Sequence, residues 1–261
     1  MNMSTNQLIL EPEQISFFKT NGWLVTNLLD ENQTLDLRSW VTEVSKWPDG
    51  GSWLHYREMT KFGPKLCRTE YFTTFHQGLH NLLTSGHMLE TASALLSEKA
   101  VLYKEKINYK LAGGAGYSPH QDAPAYRFID THISCMVAVD DANVRNGCLE
   151  VVSGAHHEIL PMNDDGCIQS EIVAEMKWEF AELKAGQTLW FHSKTPHRSG
   201  DNLSPFDRRA IYPTYNALSE GDLRERYYAQ KNAEFNESKI DGTKIKVSLI
   251  NDFRGKPVTN D

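Results

Sequence analysis

The sequence predicts a mainly β fold, a barrel or jelly roll with N-terminal helices packed outside it. Two observations carry this. Before Ala100, apolar residues recur at helical spacing; after it, short segments alternate with period two between Gly, Pro, Asn and Asp. A third supports it, since no internal repeat or low-complexity stretch points to another architecture.

Taken in order, Glu11 to Trp47 reads as largely helical, with Ile15 and Phe18, then Leu37, Trp40, Val41 and Val44, each set on one stripe. Asn21-Gly22 interrupts it, and Trp23-Leu24-Val25 reads as a short strand. Gly50-Gly51 and Phe62-Gly63-Pro64 mark loops, and residues 48–75, rich in Gly, aromatics and Arg, are expected to form a lid or pocket wall. A second helical block runs from Gln77 to Ser97, with Met88, Leu89, Ala92, Leu95 and Leu96 on one face. Strands are expected at Val101–Leu111, Thr131–Val139, Leu149–Val152, Thr188–Phe191 and Arg209–Tyr215. In the second of these, Ile133, Cys135, Val137 and Val139 alternate with His132, Ser134, Met136 and Ala138, giving two unlike faces. Gly221 to Phe235 is a charged helical stretch expected on the surface.

Composition narrows the function. The chain has 261 residues, 40% of them apolar, with 27 Lys and Arg against 34 Asp and Glu, a formal charge of −7. Such a balance belongs to a globular chain and excludes disorder, collagen and coiled coil. Without a Lys/Arg-rich block it also lacks the electrostatic footprint of a nucleic-acid binder. No apolar run is long enough to span a bilayer, and the N-terminus has no secretory pattern. Cys67, Cys135, Cys148 and Cys167 show no two-residue pairing, so a reduced, cytoplasmic setting is expected.

The chemistry concentrates in two segments. In Ser118-Pro-His-Gln-Asp122, His120 and Asp122 are one residue apart; on extended chain both project to one side and can reach one metal ion, with Gln121 pointing away. The second segment offers His197, then Arg208 at the start of an apolar strand. Two imidazoles and one carboxylate form the facial triad that holds Fe(II) and leaves positions open, and an arginine at the far end can grip a carboxylate through two parallel hydrogen bonds. His197 is preferred to His192, which ends an apolar strand; the pair His156-His157 and the pair Asp164-Asp165 read as structural turns. If His120 and His197 meet at one iron, residues 1–261 form a single domain, with a mostly helical N-terminal region over residues 1–99, a β core over 100–217 and a C-terminal extension over 218–261.

These segments, with the turn Asn146-Gly-Cys-Leu-Glu-Val-Val-Ser-Gly-Ala-His156 and the strand Ala185-Gly-Gln-Thr-Leu-Trp-Phe191, resemble the phytanoyl-CoA dioxygenase group of iron(II)- and 2-oxoglutarate-dependent oxygenases over roughly residues 11 to 217. The resemblance implies a double-stranded β-helix, cupin-like, with Fe(II) held by His120, Asp122 and His197, and 2-oxoglutarate and O2 as cosubstrates. It implies that Arg208 binds the far carboxylate of 2-oxoglutarate and that Ser199 also contacts it. Asp122 then argues for hydroxylation, since halogenating relatives have a small residue there.

Lys104, Lys106, Asn108 and Lys110 share one face of a strand, which is either a solvated edge or a cavity wall. That strand is similar to one in ectoine hydroxylases, which implies that Asn108 and Lys104 contact 2-oxoglutarate and that Lys106 faces substrate. Segments 102–111, 119–125 and 132–140 also look like the subgroup that hydroxylates 2-aminoethylphosphonate and its N-methylated relatives at the carbon beside phosphorus. Such a substrate would use Lys106 or an arginine among Arg57, Arg68 and Arg127 for the phosphonate, and Tyr56, Tyr71, Phe72 or Tyr126 for the ammonium. Other small metabolites, a non-catalytic ligand-binding barrel and a zinc hydrolase are the competing readings; the last leaves Arg208 and the Ser199/Asn202 cluster without a role.

Overall fold

In the computed structural model, residues 9–60, 62–126 and 128–241 are described, with side chains in the last helix described through Glu234 and at Asn236. The N-terminal region alternates helix and strand: α1 (Pro12–Asn21), β1 (Trp23–Asn27), α2 (Glu31–Val44), β2 (Leu54–Thr60), β3 (Gly63–Glu70), α3 (Gln77–Thr84) and α4 (Gly86–Leu96). Then come β4 (Ala100–Lys110), β5 (Tyr117–His120), β6 (His132–Ala138), β7 (Leu149–Val151), α5 (Ser170–Ala174), β8 (Glu179–Ala181), β9 (Gln187–His192), β10 (His197–Ser199), β11 (Arg208–Ala217) and α6 (Arg224–Asp241). The major sheet has the order β1-β9-β6-β11-β4-β3-β2 and the minor sheet β5-β10-β7-β8, all pairs antiparallel. This is the expected jelly roll.

Helix starts and stops follow the local sequence. Asp30 caps α2 by accepting a hydrogen bond from the Gln33 amide at 2.8 Å, while the Gln33 side chain bonds back to the Asp30 amide. Gly22 ends α1 with φ of +79°, a left-handed turn that costs glycine little. The second helical block is two helices rather than one, because the chain breaks at Ser85.

One face of the major sheet carries the helices. Ile107, Ile133, Cys135, Val137, Trp190, Ile211 and Tyr215 pack against Leu37, Val41, Leu79, Leu83, Met88 and Ala92. The other face meets the minor sheet, where Met136, Ala138, Leu189, Phe191 and Ala210 pack with Leu149, Val151, Ala181 and Leu183. The two unlike faces of β6 are therefore both covered, one by helices and one by the barrel interior.

Two expectations are corrected. The region before Ala100 holds more strand than the one expected at Trp23-Leu24-Val25: that strand, β1, adds to one edge of the major sheet, and a β2–β3 hairpin, where loops were expected, adds to the other by pairing β3 with β4. A glycine-rich, charged sequence hid that hairpin, whose Arg68 and Glu70 face a cavity while Leu54, Tyr56 and Cys67 pack into a hydrophobic cluster. The final helix is not a surface appendage either. Tyr227 and Tyr228 of α6 are buried with Leu54, Tyr56, Tyr103 and Tyr126, and the remainder of the 218–261 extension beyond Asp241 lies outside the described residues.

Candidate metal centre and its cavity

The two imidazoles come together through strand pairing. In the register of β5 against β10, His120 lies directly opposite His197, and their ring centroids are 4.1 Å apart. Asp122 arrives differently from the expectation of extended chain: after His120 the strand ends, and Asp122 adopts a helical conformation as the chain turns into a short 3-10 segment, Ala123–Ala125. That turn sets its Oδ1 at 4.0 Å from His120 Nε2 and 3.9 Å from His197 Nε2. These are the His, Cys, Asp and Glu side chains that converge within metal-holding distance among the described residues, and all three are buried.

Each donor is aimed by a second contact. His120 Nδ1 lies 2.7 Å from the Ser118 carbonyl and His197 Nδ1 lies 3.0 Å from the Thr195 carbonyl. A carbonyl only accepts, so Nδ1 carries the proton in each ring and Nε2 presents its lone pair. Ser134 Oγ, from β6, donates to Asp122 Oδ2 at 2.6 Å and leaves Oδ1 toward the imidazoles. Burial, with His197 nearby, pushes the His120 pKa down to about 3, and burial likewise lowers that of His197. For Asp122, burial acts upward but is outweighed by His197 and Lys106, so the carboxyl titrates below its usual range. Neutral imidazoles beside an ionised carboxylate form a donor set suited to a divalent cation. Gln121 turns away as expected, accepting from the Leu160 amide at 2.8 Å and donating to the Glu158 carbonyl at 2.9 Å.

The triad opens into a cavity of about 750 Å³, mouth included. Lys104, Lys106 and Asn108 line it, so this face of β4 is a cavity wall and not a solvated edge. Lys104 sits over the Tyr126 ring at 3.9 Å and Lys106 faces the Tyr212 ring at 5.3 Å. Asn108 accepts from Arg68 Nε at 3.1 Å; the same guanidinium reaches Glu70 at 3.4 Å and the Tyr117 hydroxyl at 3.0 Å. Burial, with Arg68 close by, lowers Lys106 to about 8, and burial, with Lys106, lowers Lys104 well below its ordinary value.

Arg208 and Ser199 are buried beside this cavity but outside its lining. Arg208 Nη2 reaches the Gly147 carbonyl at 3.4 Å, and its Nε is buried without a hydrogen-bond partner. An orphaned guanidinium N–H is what an incoming carboxylate would satisfy. Lys110 joins this end: its ammonium donates to Ser199 Oγ at 3.1 Å, to the Gly147 carbonyl at 3.2 Å and to the Gly200 carbonyl. Gly147 holds φ of +70°, and a Cβ there would strike the Gly200 carbonyl, which explains a glycine in that turn.

Several candidates fall elsewhere. Arg57 pairs with Asp49 at 3.0 Å on the surface, Phe72 belongs to the core under the helices, and Tyr56 and Tyr71 pack around α6, so of the four aromatic candidates Tyr126 alone lines the cavity. Arg127 lies outside the described residues. His192 accepts from the Lys194 amide at 3.1 Å and stacks near His156, away from the triad. Glu70, Tyr227 and Lys231 line the cavity without having been singled out in the sequence. Period two from Arg68 to Glu70 was the signal for the first, and a tyrosine pair in a charged helix was the signal for α6.

The sequence profile of the phytanoyl-CoA dioxygenase (PhyH) family matches residues 20–210. The chain is 45% identical to a methylphosphonate hydroxylase of Gimesia maris over 254 residues, covering 95% of this chain and 97% of that protein. It is 38% identical to a 2-aminoethylphosphonate dioxygenase of an uncultured bacterium, covering 85% and 88%. Among solved structures, EctD from S. alaskensis with 2-oxoglutarate and 5-hydroxyectoine superposes with a TM-score of 0.72 at 19% identity, over 83% of this chain and 79% of that one.

Proposed function

Because the chain belongs to the phytanoyl-CoA dioxygenase family, an iron(II)- and 2-oxoglutarate-dependent class of oxygenase, we propose that it hydroxylates a small phosphonate, such as methylphosphonate or 2-aminoethylphosphonate, at the carbon beside phosphorus. The observation that carries this reading is the convergence of His120, Asp122 and His197 on one point at the floor of a cavity rich in cations. The donor set fits Fe(II), and the partnerless Arg208 Nε fits the far carboxylate of 2-oxoglutarate. When bound, the iron and 2-oxoglutarate supply the activation of O2, with 2-oxoglutarate leaving as succinate and carbon dioxide.

The chain's own residues do the rest. His120, Asp122 and His197 hold the metal, with Ser118, Thr195 and Ser134 fixing their orientation. Arg208 binds 2-oxoglutarate, and Ser199, held by Lys110, offers its hydroxyl beside it. Asn108 and Lys104 complete the 2-oxoglutarate side, while Lys106, Arg68 and Tyr126 face the substrate. Burial keeps water from competing for these charges and strengthens each attraction. We read the chain as one catalytic domain: β5 and β10, which carry the two histidines, belong to the minor sheet, and that sheet packs face to face with the major one.

No helix among the described residues is long and apolar enough to cross a membrane. The buried thiols of Cys67, Cys135 and Cys148 support a cytoplasmic setting, and a small molecule is the partner the cavity suits.

Two measurements test the reading. Anaerobic Fe(II) plus 2-oxoglutarate should give a visible charge-transfer band. In air, methylphosphonate or 2-aminoethylphosphonate should drive succinate release and a hydroxylated product seen by phosphorus NMR. Arg208→Ala should raise the 2-oxoglutarate concentration for half-maximal band formation by at least tenfold. Absence of the band refutes the oxygenase; a band without turnover of any phosphonate refutes the substrate class only.

A further inference from the structure

Lys231 is a charged cavity residue that the scheme above leaves unused. It comes from α6, which is tied to the barrel on its far side. Arg224 Nη2 bonds Glu105 Oε1 at 2.7 Å and Thr73 Oγ1 at 2.7 Å, and Arg224 Nε bonds Glu105 Oε2 at 3.1 Å. The Tyr228 hydroxyl accepts from the Glu105 amide at 3.0 Å and donates to its carbonyl at 2.8 Å. With that turn fixed, Tyr227 and Lys231, four residues apart on one helix face, are carried into the cavity wall.

The Lys231 side chain is 9% exposed. Among the described residues no carboxylate lies within ion-pair distance of its ammonium, and the Tyr56 ring is 5.9 Å from it. Glu70, the wall's carboxylate apart from the metal ligand Asp122, bonds Arg68 at 3.4 Å and is shared with Lys231, whose charge helps hold it ionised. The wall thus sets Arg68, Lys104, Lys106 and Lys231 against Glu70 and Asp122. Four cations against two carboxylates leave this buried wall net positive, a cost that an anionic ligand would offset. The 2-oxoglutarate carboxylate has Arg208 at another end of the barrel, so the anion that completes Lys231 is the substrate's.

We infer that Lys231 is a substrate-binding residue that takes the phosphonate group together with Lys106, so that α6 helps decide which anion is hydroxylated. This rests on the phosphonate reading above. A phosphonate dianion presents three acceptor oxygens, and the two ammonium groups come from two different elements, β4 and α6.

The test uses Lys231→Met, which keeps the stem and removes the charge, and Lys231→Arg, which restores a cation. Methylphosphonate is titrated calorimetrically into full-length protein loaded with Fe(II) and 2-oxoglutarate under nitrogen. The expected result is a Kd at least tenfold higher for Lys231→Met, substantial recovery in Lys231→Arg, 2-oxoglutarate affinity within twofold of wild type, and a Tm at or above wild type. Methylphosphonate binding within twofold of wild type in Lys231→Met overturns the inference, as does an equal loss of 2-oxoglutarate affinity or a fallen Tm, which would mark a packing role. Wild-type protein that binds and turns over no phosphonate overturns the substrate class itself, and this inference with it. Turnover by wild type with unchanged binding in Lys231→Met overturns only the role of Lys231.

Discussion

Ser134 shows how much a single hydroxyl does at this centre. It gives Asp122 Oδ2 its hydrogen bond, and with that oxygen satisfied Oδ1 stays between the two imidazoles. Ser134→Ala should therefore leave the fold intact and weaken Fe(II) or Co(II) binding by roughly 10- to 100-fold, measured by metal titration. His132, on the same strand, is a different case. Both ring nitrogens are buried without partners, the ring packs on Tyr126 at 4.7 Å, and burial lowers its pKa to about 3. As pH falls from 6.5 toward 3 the unfolded chain takes up a proton that the folded ring refuses, so stability declines across that window by on the order of 4 kcal/mol. His132→Phe should narrow the difference between Tm at pH 7.5 and at pH 4.5; an unchanged difference would show that this ring does not titrate that way. The triad itself was legible because metal binding restricts residue type and spacing so strongly. Glu70 and Lys231 were not, because their meaning depends on which elements face each other across a cavity, and no local spacing encodes that.

At the scale of elements, β4 and α6 divide the work. β4 alternates: Lys104, Lys106 and Asn108 turn into the cavity, while Ile107 and Tyr109 turn under the helices. Its period of two was readable, and only the choice between water and cavity waited for the neighbouring strands β3 and β11 to be known. The short strands β5, β8 and β10 escaped detection for a physical reason. Three or four residues register only when they are apolar, as Leu149 and Val151 of β7 are; the mostly polar β5 and β10, and β8 with its leading Glu179, are placed by their partners rather than by propensity. α6 is held by Arg224 on Glu105, a carboxylate whose side chain is fully buried. Removing the guanidinium leaves that buried charge without its cation, with hydrogen bonds from Thr73 and Tyr228 remaining, so Arg224→Ala should cost about 3 kcal/mol in denaturant unfolding and loosen the roof of the cavity. Substituting Glu105 and Arg224 together by Gln and Met should cost less than the two single changes summed, which a double-mutant cycle would show.

For the whole molecule, the formal charge of −7 and the cationic cavity describe different places. An anion is drawn in by the wall, whereas an ammonium on the substrate meets Lys104 already over Tyr126 and Lys106 already facing Tyr212. Methylphosphonate is therefore expected to show a lower KM than 2-aminoethylphosphonate, by about tenfold for one unfavourable buried contact; equal KM values would mean that the lysines move aside for the ammonium. The pairing of His120 opposite His197 has a consequence for the chain as a polymer. One ion shared by those partners closes a loop of roughly 80 residues, which acts as a removable cross-link and restricts the unfolded ensemble by about 4 kcal/mol in the chain-entropy account. Loading the metal would thus act as a fastener on the minor sheet, and amide exchange in β5, β7 and β10 should slow more on metal addition than exchange in α2 or α4.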